Sequence, residues 1–143
     1  MSYATQQDLV DRFGSAELAG LTDPVAGSTI NATTVTRALT DADAEIDTRL
    51  SARYDTPLAT VPAVIVRLAA DLARYFLWDV RATEQVRNRY KDAVALLDKI
   101  SKGDVMVPGA TLLTPAAGSV AVGFSSSTTQ FSSTLLDSFG APQ

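Results

Sequence analysis

Charge stops abruptly in this chain. Every lysine and arginine lies at or before Lys102, and after Asp104 the only charged side chain is Asp137. The composition turns at the same point to Gly, Ser, Thr, Ala and Pro. A chain of 143 residues has room for one well-formed core, with or without an appendage. The break therefore predicts a folded body over residues 1–107 and a nearly uncharged C-terminal tail over residues 108–143, parting near Pro108-Gly109.

Within the body the apolar spacing is helical. Thr5 offers an N-cap to a short helix carrying Leu9, Val10 and Phe13, and Gly14 stops it. Ser15 restarts a helix that ends at Thr22-Asp23-Pro24, and residues 24–33 read as a loop. Over residues 34–54, Val35, Leu39, Ala42, Ile46 and Leu50 recur at steps of three and four, which marks one buried face. Asp41, Asp43, Glu45 and Asp47 fall off that stripe and read as a solvated face, since residues spread round a helix do not converge on one ion. Glu45 and Arg49 form an i,i+4 pair.

A fourth helix starts at Pro62 and is apolar almost all round to Asp79, apart from a narrow stripe of Arg67, Asp71 and Arg74. Such a helix is central, covered on most sides. A fifth follows Thr83, buries Val86, Tyr90, Val94, Leu97 and Ile100, and stops at Gly103. Val105-Met106-Val107 suggests a short strand. The expected fold is all-α, a small bundle of about five helices with an extended, partly β C-terminal arm. In that arm Ser119-Val120-Ala121-Val122-Gly123-Phe124-Ser125 alternates as a strand does, residues 125–133 form a Ser/Thr run, and Phe131, Leu135, Leu136 and Phe139 return at helical spacing.

Composition narrows the function classes. With no cysteine there is no disulfide and no thiolate metal site; with no histidine, the commonest general base and metal ligand are both missing. No P-loop, nucleophile elbow or Gly-rich dinucleotide turn occurs, so catalytic, cofactor and metal sites are expected to be absent and the chain is not expected to be an enzyme. A net charge of −4 and a pI near 4.6 argue against diffuse nucleic-acid binding. Residues 1–10 lack the apolar core of a signal peptide. The apolar stretch over residues 62–80 is interrupted by four charges, Arg67, Asp71, Arg74 and Asp79, and is read as a buried helix rather than a membrane span.

Several motifs in fixed order resemble a known family. These are Tyr3-Ala4-Thr5-Gln6-Gln7-Asp8-Leu9-Val10-Asp11-Arg12-Phe13-Gly14, then Ala44-Glu45-Ile46-Asp47, then Leu50-Ser51-Ala52-Arg53-Tyr54 with Pro57-Leu58. Val61-Pro62, Arg67-Leu68-Ala69, Asp71-Leu72-Ala73-Arg74-Tyr75, Asp79, Arg81-Ala82-Thr83 and Arg89-Tyr90 follow. Together, over residues 3–104, they resemble the Mu-like phage head–tail connector proteins, also called adaptors or head-completion proteins. The resemblance implies a small helical body that forms a homo-oligomeric ring, typically a dodecamer, beneath the portal protein of a filled capsid. Genomic DNA would pass through the ring without sequence-specific binding, and a stopper or tail-terminator protein would dock below. It also implies a place in the virion neck, reached by assembly in the host cytoplasm, with no membrane partner.

Two residue groups are candidates for these contacts. Arg67, Asp71 and Arg74 form either an internal triad that sets helix register or a contact completed by the next subunit; Arg81 and Arg89 join them as subunit-interface candidates. In the tail, Val120 and Val122 suit strand addition, while Phe124, Phe131, Leu135, Leu136 and Phe139 suit pockets on the portal or a neighbour. The alternatives for the tail are folding back on its own body and disorder. The basic excess of Arg81, Arg87, Arg89, Lys91, Lys99 and Lys102 reads as solvated charge or as a contact with an acidic portal surface or DNA phosphates. Two rival functions remain: a DNA-binding packaging protein of the small-terminase kind, which needs a basic recognition helix, and another neck component such as a stopper or tail terminator.

Overall fold

The computed structural model of this chain describes residues 1–114. Five α-helices follow in order: α1 (Gln6–Phe13), α2 (Ser15–Thr22), α3 (Ala32–Leu50), α4 (Ala63–Trp78) and, after a 3-10 turn at Asp79–Arg81, α5 (Glu84–Lys102). The expected all-α bundle is what forms. Among the described residues the only β pairing is an isolated antiparallel bridge between Tyr54 and Leu112.

Local chemistry places most of the helix ends. Thr5 and Asp8 make a reciprocal capping box at α1: the Asp8 N–H donates to the Thr5 hydroxyl, and the Thr5 N–H donates to the Asp8 carboxylate at 2.8 Å. Those bonds to Thr5 hold the Asp8 carboxyl below its ordinary value. The α3 helix starts at Ala32, ahead of the expected residue 34, because the Asn31 side chain accepts from the Thr33 and Thr34 N–H groups. It stops at Leu50 rather than continuing to residue 54. Tyr54 is drawn into the core instead, where its hydroxyl accepts the Val107 N–H at 3.2 Å. Thr83 caps α5, and Gly103 closes it in the left-handed region at φ 90°.

Cross-links between helices set their directions. Tyr90 donates to Glu45 at 3.2 Å and Arg49 pairs with Asp98 at 2.5 Å, so α3 and α5 run the same way. Asp71 faces Arg89, and Tyr75 stacks on Tyr90 with ring centroids 4.1 Å apart. With α4 lying between them in sequence and touching all four other helices, it runs opposite to α3 and α5. The α3 stripe of Val35, Leu39, Ala42, Ile46 and Leu50 is fully within the core, beside Ile65, Leu68 and Leu72 of α4 and Leu97 and Ile100 of α5. Each of these valine, leucine and isoleucine side chains contributes about 1.5–3 kcal/mol on burial. All-round burial of α4 holds for its first part only. Tyr75, Phe76, Leu77 and Trp78 at its C-terminal end are half-buried.

Two other expectations are corrected. Residues 105–107 do not form a strand; the main-chain pairing comes later, where Asp55 N–H donates to the Thr111 carbonyl and Leu113 N–H to that of Arg53. Body contacts therefore continue past Pro108. The acidic run on α3 is not a solvated face either. Asp43 accepts the Tyr3 N–H at 3.0 Å, Asp47 accepts the Tyr3 hydroxyl, and Glu45 serves Arg49 and Tyr90. Only Asp41 of the four stays exposed. Side chains flanking a buried stripe reach whatever packs beside the helix, and here that is the N-terminal segment on one flank and α5 on the other.

Candidate functional site

The structure separates the three charged residues of α4. Arg67 is exposed, Asp71 is buried, and Asp71 meets Arg89 of α5 at 3.6 Å, longer than a hydrogen bond. Arg67, Asp71 and Arg89 line one cleft of about 120 Å³ together with Leu68, Asp92 and Ala93. Loss of solvent pushes the Asp71 carboxyl up, against the pull of Arg89, Arg67, Arg12 and Arg74. Among the described residues no donor reaches this carboxylate within hydrogen-bond distance.

Arg74 takes no part in that cleft. Its Nε and Nη2 donate to Glu17 of α2 at 2.6 and 2.9 Å, and its guanidinium lies 4.4 Å from the Phe13 ring centroid. Trp78 Nε1 donates to the same carboxylate at 3.1 Å. A planar guanidinium gains more from a two-oxygen partner in fork geometry than from a carboxylate one turn away on its own helix. The result bolts the α1–α2 hairpin to α4. Nothing near Glu17 in the sequence announces this, because its partners come from another element.

Arg81 sits at the far end of the 3-10 turn, exposed, on the rim of a groove formed by Ala16, Glu17, Gly20, Leu21 and Trp78. Just before it, Asp79 adopts φ 46° and ψ −132°, outside the left-handed helical region and strained for a residue with a side chain, and Val80 beside it is exposed. A second depression is lined by Tyr75, Phe76, Asp79, Val80 and Arg87. The basic side chains Arg87, Arg89, Lys91, Lys99 and Lys102 of α5 all face solvent.

Exposed large apolar side chains gather at two opposite ends of the bundle. At one end Val80 is 83% exposed, and Val25, in the loop leading into α3, is 96% exposed. At the other, after the C-terminus of α5, stand Met106 at 62%, Leu113 at 45%, Leu112 at 42% and Val105 at 38%. Only the terminal Met1 falls outside these two groups among the described residues. The length of α5, 19 residues or roughly 28 Å, separates the ends. Neither group follows from helical spacing in the sequence, although the run around Leu112 and Leu113 is visibly uncharged. The tail candidates Val120, Val122, Phe124, Phe131, Leu135, Leu136 and Phe139 lie outside the described residues.

Among the described residues, no group of three or more His, Cys, Asp or Glu is placed to hold a metal ion, and no helix is long and apolar enough to cross a membrane. The chemistry on offer is that of surfaces: a charged cleft along the side and apolar groups at each end.

Comparison with known proteins agrees with the Mu-like phage affinity seen in the motifs. The family described as bacteriophage Mu, Gp36 matches residues 3–125. Mu-like prophage FluMu protein gp36 of Haemophilus influenzae is 37% identical over 103 residues, which is 72% of this chain and 73% of that protein. Gene product J of Escherichia phage Mu is 36% identical over 104 residues, 72% of this chain and 74% of its own length. The family match extends beyond the residue-104 limit of the motif resemblance and takes in the first part of the tail.

Proposed function

This chain belongs to the bacteriophage Mu Gp36 family, and from that premise we propose that it is a phage structural or morphogenesis protein acting as the ring-forming adaptor of the virion neck. Bodies pack side by side, and the ring continues the DNA channel between the capsid portal and the stopper or tail-terminator protein. No reaction is catalysed. Assembly takes place in the host cytoplasm, and the product stays in the virion.

One observation carries this reading: among the described residues, exposed apolar side chains sit at two opposite ends of the bundle, Val25 and Val80 at one and Val105, Met106 and Leu113 at the other. A part that joins two different neighbours needs two separated contact surfaces, and apolar surface left in water is what such contacts use. The lateral cleft of Arg67, Asp71 and Arg89 supplies the ring contact, in which a donor from the next copy gives Asp71 the hydrogen bond it lacks. The uncharged tail extends the second end toward its neighbour.

Binding of the purified chain to the portal assembly of the same virus, followed by size-exclusion chromatography and negative-stain imaging, tests the proposal. Full-length protein is expected to bind and to appear as rings on the portal. Val80→Asp is expected to abolish contact at one end and Leu113→Asp at the other, each without loss of helicity. If the unaltered chain binds neither the portal nor the next neck protein, the adaptor reading fails.

A further inference from the structure

Main-chain pairing at the foot of the bundle is half finished. Asp55 N–H donates to the Thr111 carbonyl at 3.0 Å, and Leu113 N–H donates to the Arg53 carbonyl at 2.9 Å. These two bonds bracket Tyr54 and Leu112 as an antiparallel pair whose own N–H and C=O groups point away from the ladder between them. Tyr54 N–H turns back to the Leu50 carbonyl at 2.8 Å, while Leu112 N–H and C=O have no hydrogen-bond partner among the described residues. No charge and no proline interrupts residues 109–114. Natural edges are usually blunted by such residues, and an edge without them is a template for another strand.

We propose that residues 119–125 of this same chain add to the Leu112 edge, so that they belong to the body and only residues 126–143 are left to dock. Three observations converge on this division. Ser119-Val120-Ala121-Val122-Gly123-Phe124-Ser125 carries the alternation of a strand, with Val120, Val122 and Phe124 on one face to cover Leu112. The five intervening residues 114–118 include Pro115 and Gly118, and a loop that short closes at small entropic cost. The family match ends at residue 125, where the alternation also ends. A segment tethered this closely outcompetes one from another molecule by effective concentration.

The consequence for docking rests on the adaptor reading. Val120, Val122 and Phe124 cover the chain's own edge, and Phe131, Leu135, Leu136 and Phe139 are the side chains that enter a neck partner. The strand itself is tested without any partner, so its failure is distinct from failure of the adaptor role.

The test is amide hydrogen exchange at Leu112 in the isolated full-length protein, in Val122→Pro, and in a Phe131→Ala/Phe139→Ala double variant. Proline in the added strand removes a donor and distorts the ladder. In the unaltered chain Leu112 is expected to exchange about tenfold or more below its unprotected rate. Val122→Pro should restore fast exchange while the Leu97 and Ile100 amides stay protected, and the double variant should match the unaltered chain. Unprotected Leu112 in the full-length protein overturns the proposal, as does protection that survives Val122→Pro or is lost in the double variant. Protection that grows with protein concentration also overturns it, because a second copy would then be the cover.

Discussion

Arg74 and Glu17, 57 residues apart, meet through two charge-assisted hydrogen bonds of 2.6 and 2.9 Å, and this pair ties α2 to the central helix. The side chains are 13% and 24% exposed, so solvent screens the pair only in part. Trp78, the sole tryptophan, shares the same carboxylate.

Glu17→Ala is therefore expected to lower stability by about 2 kcal/mol, the usual cost of leaving a largely buried cation unpaired outside a deep interior. Tryptophan emission should shift to the red as the indole loses its acceptor and the α1–α2 hairpin loosens. Unchanged melting together with unchanged emission would contradict the bolt.

Tyr3 makes a second long-range tie. Its hydroxyl donates to Asp47 and accepts the buried Leu58 N–H at 3.0 Å. Burial first, and the Asp47 bond next, push the phenol up to about 12. A raised value means that folding favours the neutral phenol. That contribution is complete below the ordinary value of 10.0 and is lost as the pH rises through about 12. Tyr3→Phe should cost about 1–2 kcal/mol at neutral pH, since the Leu58 N–H is left without a partner. The difference from the unaltered protein should shrink between pH 10 and 12 in alkaline unfolding followed by circular dichroism.

Asp71 runs the other way. Burial raises its carboxyl, so its stabilising contribution is present below the ordinary value of 3.8 and is lost as the pH rises through the folded value. At pH 7 the ionised group is a burden to the isolated chain. Asp71→Asn should be as stable at neutral pH, or more stable by up to about 1 kcal/mol, with the gain vanishing in acid. The same variant should assemble poorly on the portal. A loss above about 2 kcal/mol at pH 7 in urea unfolding would make Asp71 an internal strut instead of a lateral contact.

Gly103 holds φ 90°, and a Cβ there would fall on the Arg53 guanidinium, whose flexible end can yield. The backbone conformation is then the main cost, about 1 kcal/mol for Gly103→Ala, and less for Gly103→Asn because Asn enters the left-handed region more readily. Both values follow from thermal melting. The amide of Val107 should exchange faster in the alanine variant, since the turn at Gly103 aims residues 104–113 back toward Tyr54.

Helix starts and stops were legible wherever the signal was local. Thr5, Thr83, Gly14 and Gly103 mark ends that the structure keeps. The exceptions are instructive. Asn31 capped α3 from within what read as loop, and Tyr54 left the helical pattern because a tertiary hydroxyl bond to Val107 outweighed one more helical turn. Of the candidate interface residues, Arg67, Asp71 and Arg89 share a cleft, Arg81 stands apart at the 3-10 turn, and Arg74 is occupied inside the chain.

By itself the sequence determined an all-α body, the buried stripe of α3, the central place of α4 and the family. Caps, glycine stops and a period of three to four residues act within a few residues of chain, so they are written in the order of the letters. Only the tertiary structure decided where the charges of α3 and α4 go, and that the apolar surface divides between two ends. Long polar side chains choose partners by distance and geometry across elements. Asp43, Asp47, Glu45 and Arg74 found theirs on Tyr3, Tyr90 and Glu17, residues that no local pattern connects to them.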